Sequence, residues 1–101
     1  MYQKKEIHAG LEEMKHVPNA LLVDVRNPSE YDGGHIPGSR NFAMSRILRE
    51  AEGEFPDKSQ PIFVYCQSGA RSARAGKLLD LMGYESVTDL GGICDYTGPR
   101  E

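Results

Sequence analysis

The stretch that most constrains this chain begins at Pro61-Ile62-Phe63-Val64-Tyr65, a short apolar run rich in β-branched and aromatic residues. A strand buried on both faces reads this way. Beyond it Ala75, Leu78, Leu79 and Met82 recur at i, i+3, i+4 and i+7, the stripe of an amphipathic helix, and Gly83 suits the position just past its end. Between strand and helix lies Cys66-Gln67-Ser68-Gly69-Ala70-Arg71-Ser72. Cys66 therefore sits at the C-terminal tip of a core strand, ahead of a tight turn that opens a helix.

Backbone N–H groups at a helix start have no intrahelical partner, and the aligned peptide dipoles add positive charge there. A thiol at such a point has its ionised form favoured. The dipole is worth only ~0.3–2 kcal/mol, whereas each charge-assisted hydrogen bond from a loop amide adds ~1.5–3 kcal/mol. Converging amides are the larger effect. Arg71 brings a full positive charge to the far end of the loop. The functional reading is a nucleophilic thiolate in an anion-binding cradle. The plain alternative is a buried strand-end cysteine without chemistry; the order strand, Cys, small polar residues, Gly, Arg, helix favours the first.

The loop from Cys66 to Ser72 resembles the active-site loop of the rhodanese family of thiosulfate sulfurtransferases. Upstream, Asp24-Val25-Arg26-Asn27-Pro28-Ser29-Glu30-Tyr31, then Gly34-His35-Ile36-Pro37-Gly38-Ser39 and Asn41, resemble that family's second signature. Downstream, Gly83-Tyr84, Val87 and Leu90-Gly91-Gly92-Ile93 look like its closing segment. The resemblance covers residues 5 to 98, with three motifs in the family's order. It departs in two places. Tyr96 stands where the family often has tryptophan, and a tail ending soon after Gly98-Pro99 is expected to leave the active-site edge more open. Cys94 falls where the family has no particular cysteine; it reads as an incidental thiol, with a resolving thiol as the alternative.

In chain order, Ile7, Leu11 and Met14 predict a helix from about residue 5 to 15, ended by Pro18, with at most a very short strand near Tyr2. Ala20-Leu21-Leu22-Val23-Asp24-Val25 reads as a second central strand. Crevices in open parallel sheets form outside the strands' carboxyl ends, which puts Asp24 and Arg26 on the same edge as Cys66. They are substrate contacts or an acid–base pair on one reading, and braces for the loops on the other, which the family pattern favours. The turn from Gly33 to Gly38 uses glycines for positive φ, and His35 in it is expected to bond to backbone rather than shuttle protons. Arg40-Asn41-Phe42-Ala43 suggests a short edge strand, followed by a helix from about Ser45, its hydroxyl the N-cap and Ile47, Leu48 and Ala51 inward. Ser86-Val87-Thr88-Asp89-Leu90 is the last strand, and Gly91-Gly92 begins a terminal turn or short helix.

Strands alternating with helices predict an α/β fold, a doubly wound, mostly parallel sheet with helices on both faces. The resemblance implies five strands in one rhodanese-like domain over residues 1–101. Composition narrows the partners. With 39% hydrophobic and 27% charged residues the chain is an ordinary globular one, and a net charge of −3 without a Lys/Arg cluster gives no reason to expect nucleic acid. No apolar run approaches a membrane span and no signal peptide opens the chain, so a cytoplasmic protein without a membrane partner is expected. Both cysteines are read as reduced thiols, and their wide spacing gives no metal site. A monomer is expected.

The resemblance implies sulfur transfer without a cofactor. Cys66 takes sulfur from thiosulfate or a persulfide donor and passes it to a thiol or cyanide. The residues from Gln67 to Ser72 bind the anion and Arg71 attracts the donor. A carrier that holds the persulfide for a partner with little turnover would need the same loop. A phosphatase or arsenate reductase is the weaker competitor, since its loop is Cys-x5-Arg, whereas Arg71 follows Cys66 at Cys-x4-Arg.

Overall fold

The computed structural model describes Met1–Glu101. Five strands form one sheet in the order β1-β5-β4-β2-β3: β1 Tyr2–Lys4, β2 Leu21–Asp24, β3 Arg40–Asn41, β4 Ile62–Cys66 and β5 Val87–Gly92. Every neighbouring pair is parallel. Helices α1 (Ile7–Met14), α2 (Pro28–Asp32), α3 (Ile47–Glu54) and α4 (Ala70–Leu81) supply the crossovers. After β2 the chain moves outward to β3, and after β4 it moves the opposite way to β5. The C-terminal ends of β2 and β4 therefore flank the point where the winding reverses, where such sheets open a crevice.

All five residues of β4 are buried, and their alternation divides the core. Ile62, Val64 and Cys66 face the larger cluster, with Ile47, Ala51 and Phe55 from the α3 segment and Ala75 and Leu79 from α4. Phe63 and Tyr65 face the other side, with Ile7, Leu22, Leu90 and Ile93. Each fully buried side chain of this size is worth ~1.5–3 kcal/mol, so both layers hold the strand that carries Cys66 in place.

The strands and helices read from periodicity are present, and α4 stops where expected, with Gly83 at φ 98. In the Gly33–Gly38 turn, Gly34 and Gly38 take positive φ and Gly33 does not. The segment near Ser45 differs. A 3-10 turn over Met44–Arg46 precedes α3, no side chain caps it, and Leu48 is 68% exposed. Bonding of the Met44 amide to the Val25 carbonyl pins the entry, leaving Ile47 and Ala51 as the inward pair and turning Leu48 to water. The last strand also runs on through Gly91 and Gly92 before a 3-10 turn at Ile93–Asp95, because Gly92 pairs with Cys66 beyond a register shift.

The tail is docked, contrary to the expectation of an opened edge. Tyr96 stacks on His8 with ring centroids 5.8 Å apart. His35 and Glu101 exchange two backbone bonds of 3.0 and 2.8 Å, which closes the chain end over the Gly34–His35 turn.

Candidate active site

Cys66 is buried, and its neighbours are the turn it begins. The Gly69 N–H donates to Sγ at 3.0 Å, which requires the chain to double back within three residues. Gly69 supplies that reversal with φ 105, a conformation open to glycine. On the other side the Ser72 hydroxyl lies 3.5 Å from Sγ. Its oxygen is 3.2 Å from both the Gly69 and the Gly91 carbonyls, one of which takes its proton. The first three amides of α4, those of Ala70, Arg71 and Ser72, donate to no acceptor within the protein.

The loop is also held from below. A Cβ at Gly92 would come within 2.4 Å of the Gln67 carbonyl oxygen and 2.6 Å of the Ser68 Cα, so only glycine lets β5 lie this close. The Cys94 amide donates to the Gln67 carbonyl at 3.1 Å, while the Cys94 residue itself is exposed; both cysteines are free thiols. Beside the loop, a cleft of about 290 Å³ opens between Ser68, Gly91 and Gly92 on one side and Lys4 to Ile7 on the other.

Two arginine–carboxylate pairs flank this turn. Arg26 and Asp24 are both buried, and Nε and Nη2 of the guanidinium donate to the carboxylate at 2.8–3.1 Å. Its remaining reach goes to the Gly34 carbonyl at 2.7 Å and, through Nη1, to the Gln67 side-chain oxygen at 3.2 Å. Asp24 and Arg26 thus act as a brace between β2, the glycine turn and the Cys66 loop. Arg71 is paired with Glu30, Nη1 to Oε1 at 2.6 Å and Nη2 to Oε2 at 2.9 Å. That bonding holds the Glu30 carboxyl well below its ordinary range, at about 2.

His35 does what a turn histidine was expected to do, meeting the Tyr31 carbonyl at 2.9 Å and stacking on the Tyr31 ring. Tyr65 was not foreseen as part of the frame. Its hydroxyl accepts from the Ile36 amide at 3.1 Å and meets the Ser39 hydroxyl at 2.9 Å, with burial pushing its pKa up to about 12. The contact of Ser72 with Sγ was also missed. The signal available was a small polar residue one turn into a helix, on the face that its apolar stripe buries.

A family model, the rhodanese-like domain, matches residues 6–97. The chain belongs to the rhodanese-like family. This rhodanese-like chain is 33% identical over 78 residues to the thiosulfate sulfurtransferase PspE of Escherichia coli (strain K12), covering 77% of the chain and 75% of that protein. It is 38% identical over 85 residues to the thiosulfate:glutathione sulfurtransferase of Saccharomyces cerevisiae, covering 73% of this chain and 61% of the yeast protein. Among solved structures, a rhodanese with anions from E. coli superposes with a TM-score of 0.74 at 32% identity, over 81% of this chain and 96% of that one. No helix of the rhodanese-like chain is long and apolar enough to cross a membrane.

Proposed function

We propose that this chain, acting as one domain, moves a sulfane sulfur from thiosulfate or a persulfide donor to a thiol or cyanide through a persulfide on Cys66. The Cys66 thiolate attacks the outer sulfur of thiosulfate, the donor's S–S bond breaks, and sulfite leaves with the electron pair. An acceptor thiolate then attacks the outer sulfur of the persulfide and the Cys66 thiolate departs. A cytoplasmic setting would supply such thiols.

The observation that carries this reading is the arrangement of donors around one sulfur. Gly69 N–H already reaches Sγ at 3.0 Å, and three amides at the start of α4 have no acceptor of their own. Amides fixed in advance stabilise a developing anion without reorganising. The Ser72 hydroxyl can turn its proton from a carbonyl to the sulfide when charge appears there. The short Cys66-x4-Arg71 loop favours a chain of two sulfurs over a tetrahedral phosphoryl group.

Thiosulfate:cyanide turnover by Cys66→Ser and Cys94→Ser variants tests this. The first is expected to lose all activity with its fold retained, and the second to keep most of it. Equal loss in both would replace this mechanism with one using Cys94 as a resolving thiol. Loading of Cys66 with sulfur but negligible turnover would identify a carrier.

A further inference from the structure

The two arginines that border the Cys66 turn are each paired with a carboxylate, which bears on what kind of donor enters. This inference rests on the sulfur-transfer reading above. Arg26 is engaged by Asp24, Gly34 and Gln67. Arg71, the other arginine bordering the turn, spends both ends of its fork on Glu30 at 2.6 and 2.9 Å. The two guanidiniums bordering the loop are therefore both engaged before a doubly negative donor arrives.

The Glu30 carboxylate is anchored as well as paired. Its Oε1 also accepts the Asn27 amide at 3.0 Å, tying it to the start of α2 rather than leaving it to swing freely. The pair is nonetheless reachable, with side-chain exposures of 34% for Arg71 and 30% for Glu30, so an incoming anion can compete for the fork.

We propose that Glu30 selects the donor by charge: seated on Arg71, it must be displaced by a dianion such as thiosulfate but not by a persulfide carrying a single negative charge. Glu30 then sets the donor preference of the loop without touching the transferred sulfur. Its ionised state is secure, because Arg71 holds its carboxyl at about 2, far below neutral pH.

The test compares the rate at which Cys66 gains one sulfur atom, by intact mass, in the natural protein and in Glu30→Gln, each loaded from thiosulfate and from the persulfide of 2-mercaptoethanol. Glutamine keeps the oxygen that accepts the Asn27 amide, so the start of α2 survives. Removing one partly exposed competing charge is expected to raise loading from thiosulfate about three- to tenfold and to change loading from the persulfide by less than about twofold. Adding Arg71→Ala to Glu30→Gln should abolish the gain. An unchanged ratio between the two donors, or a loss of thiosulfate loading, overturns the selection by Glu30 and leaves sulfur transfer standing. If the natural protein gains sulfur from neither donor, the sulfur-transfer reading fails and this inference fails with it.

Discussion

Arg26 and Arg71 both border the turn that begins at Cys66, each paired to a carboxylate, and the two pairs differ in their exposure to water. The Arg26–Asp24 pair is out of water, with side-chain exposures of 4% and 0%. The Arg71–Glu30 pair sits at the rim, about one third exposed on each side. Taking charges out of water costs several kcal/mol per ion, and that cost is offset only when every donor and lone pair is matched. The Arg26 guanidinium has three such partners, Asp24, Gly34 and Gln67. A rim pair bears little of the cost and contributes little stability, so it is free to exchange partners. The buried pair braces the loop, and the rim pair is the one an incoming anion can reach.

Breaking each pair in turn tests that division. The largest effect is expected from Arg26→Ala, which strips the buried Asp24 carboxylate of its guanidinium and leaves it only the backbone amide of residue 26. Urea unfolding should show a loss of about 3–5 kcal/mol. Replacing both partners, as in Asp24→Asn with Arg26→Met, should recover part of it. If Arg71→Ala costs as much stability as Arg26→Ala, the distinction between brace and rim collapses.

A smaller energy but a clearer kinetic signature belongs to Arg71→Ala. It should lower kcat/KM for thiosulfate about ten- to hundredfold, mostly through KM, because loss of one charged hydrogen-bonding partner is worth about 1.5–3 kcal/mol. Arg71→Lys should restore only part, since a point charge replaces a flat fork. A loss confined to kcat would assign Arg71 to the reaction itself rather than to donor binding.

The smallest effect is a pH dependence. Glu30 titrates at about 2 in the folded chain against an ordinary value of 4.5. A carboxyl whose pKa is lower in the folded state contributes stability that is complete above the ordinary value and is lost as pH falls through the folded value. The stability difference between the natural protein and Glu30→Gln should therefore be constant above about pH 5 and shrink between 4.5 and 2. A difference that persists undiminished at the acid end would trace it to something other than this carboxylate.

What could be read from the residues follows the range of the interactions involved. The β4 strand and α4 helix were legible because apolar period and a closing glycine are local. The Asp24–Arg26 pair was legible as a brace because its members are two residues apart. By contrast, Arg26 reaches Gln67 and Arg71 reaches Glu30 across 41 residues, and only the closed sheet brings them together. Leu48 looked inward because its helix was expected to start at Ser45; a tertiary bond at Met44 rotated it to the surface. The close approach of Gly92 to Gln67 and Ser68 depends on the pairing of β4 with β5, which no local pattern specifies.

The proposed mechanism puts the sulfur in transit on Cys66. Intact mass of the natural protein, measured before thiosulfate, after it, and again after cyanide, tests this most directly. Thiosulfate should add one sulfur atom, located on Cys66 by peptide mapping, and cyanide should remove it completely and restore the starting mass. No gain, or a sulfur carried on Cys94 when Cys66 is replaced by serine, would contradict it.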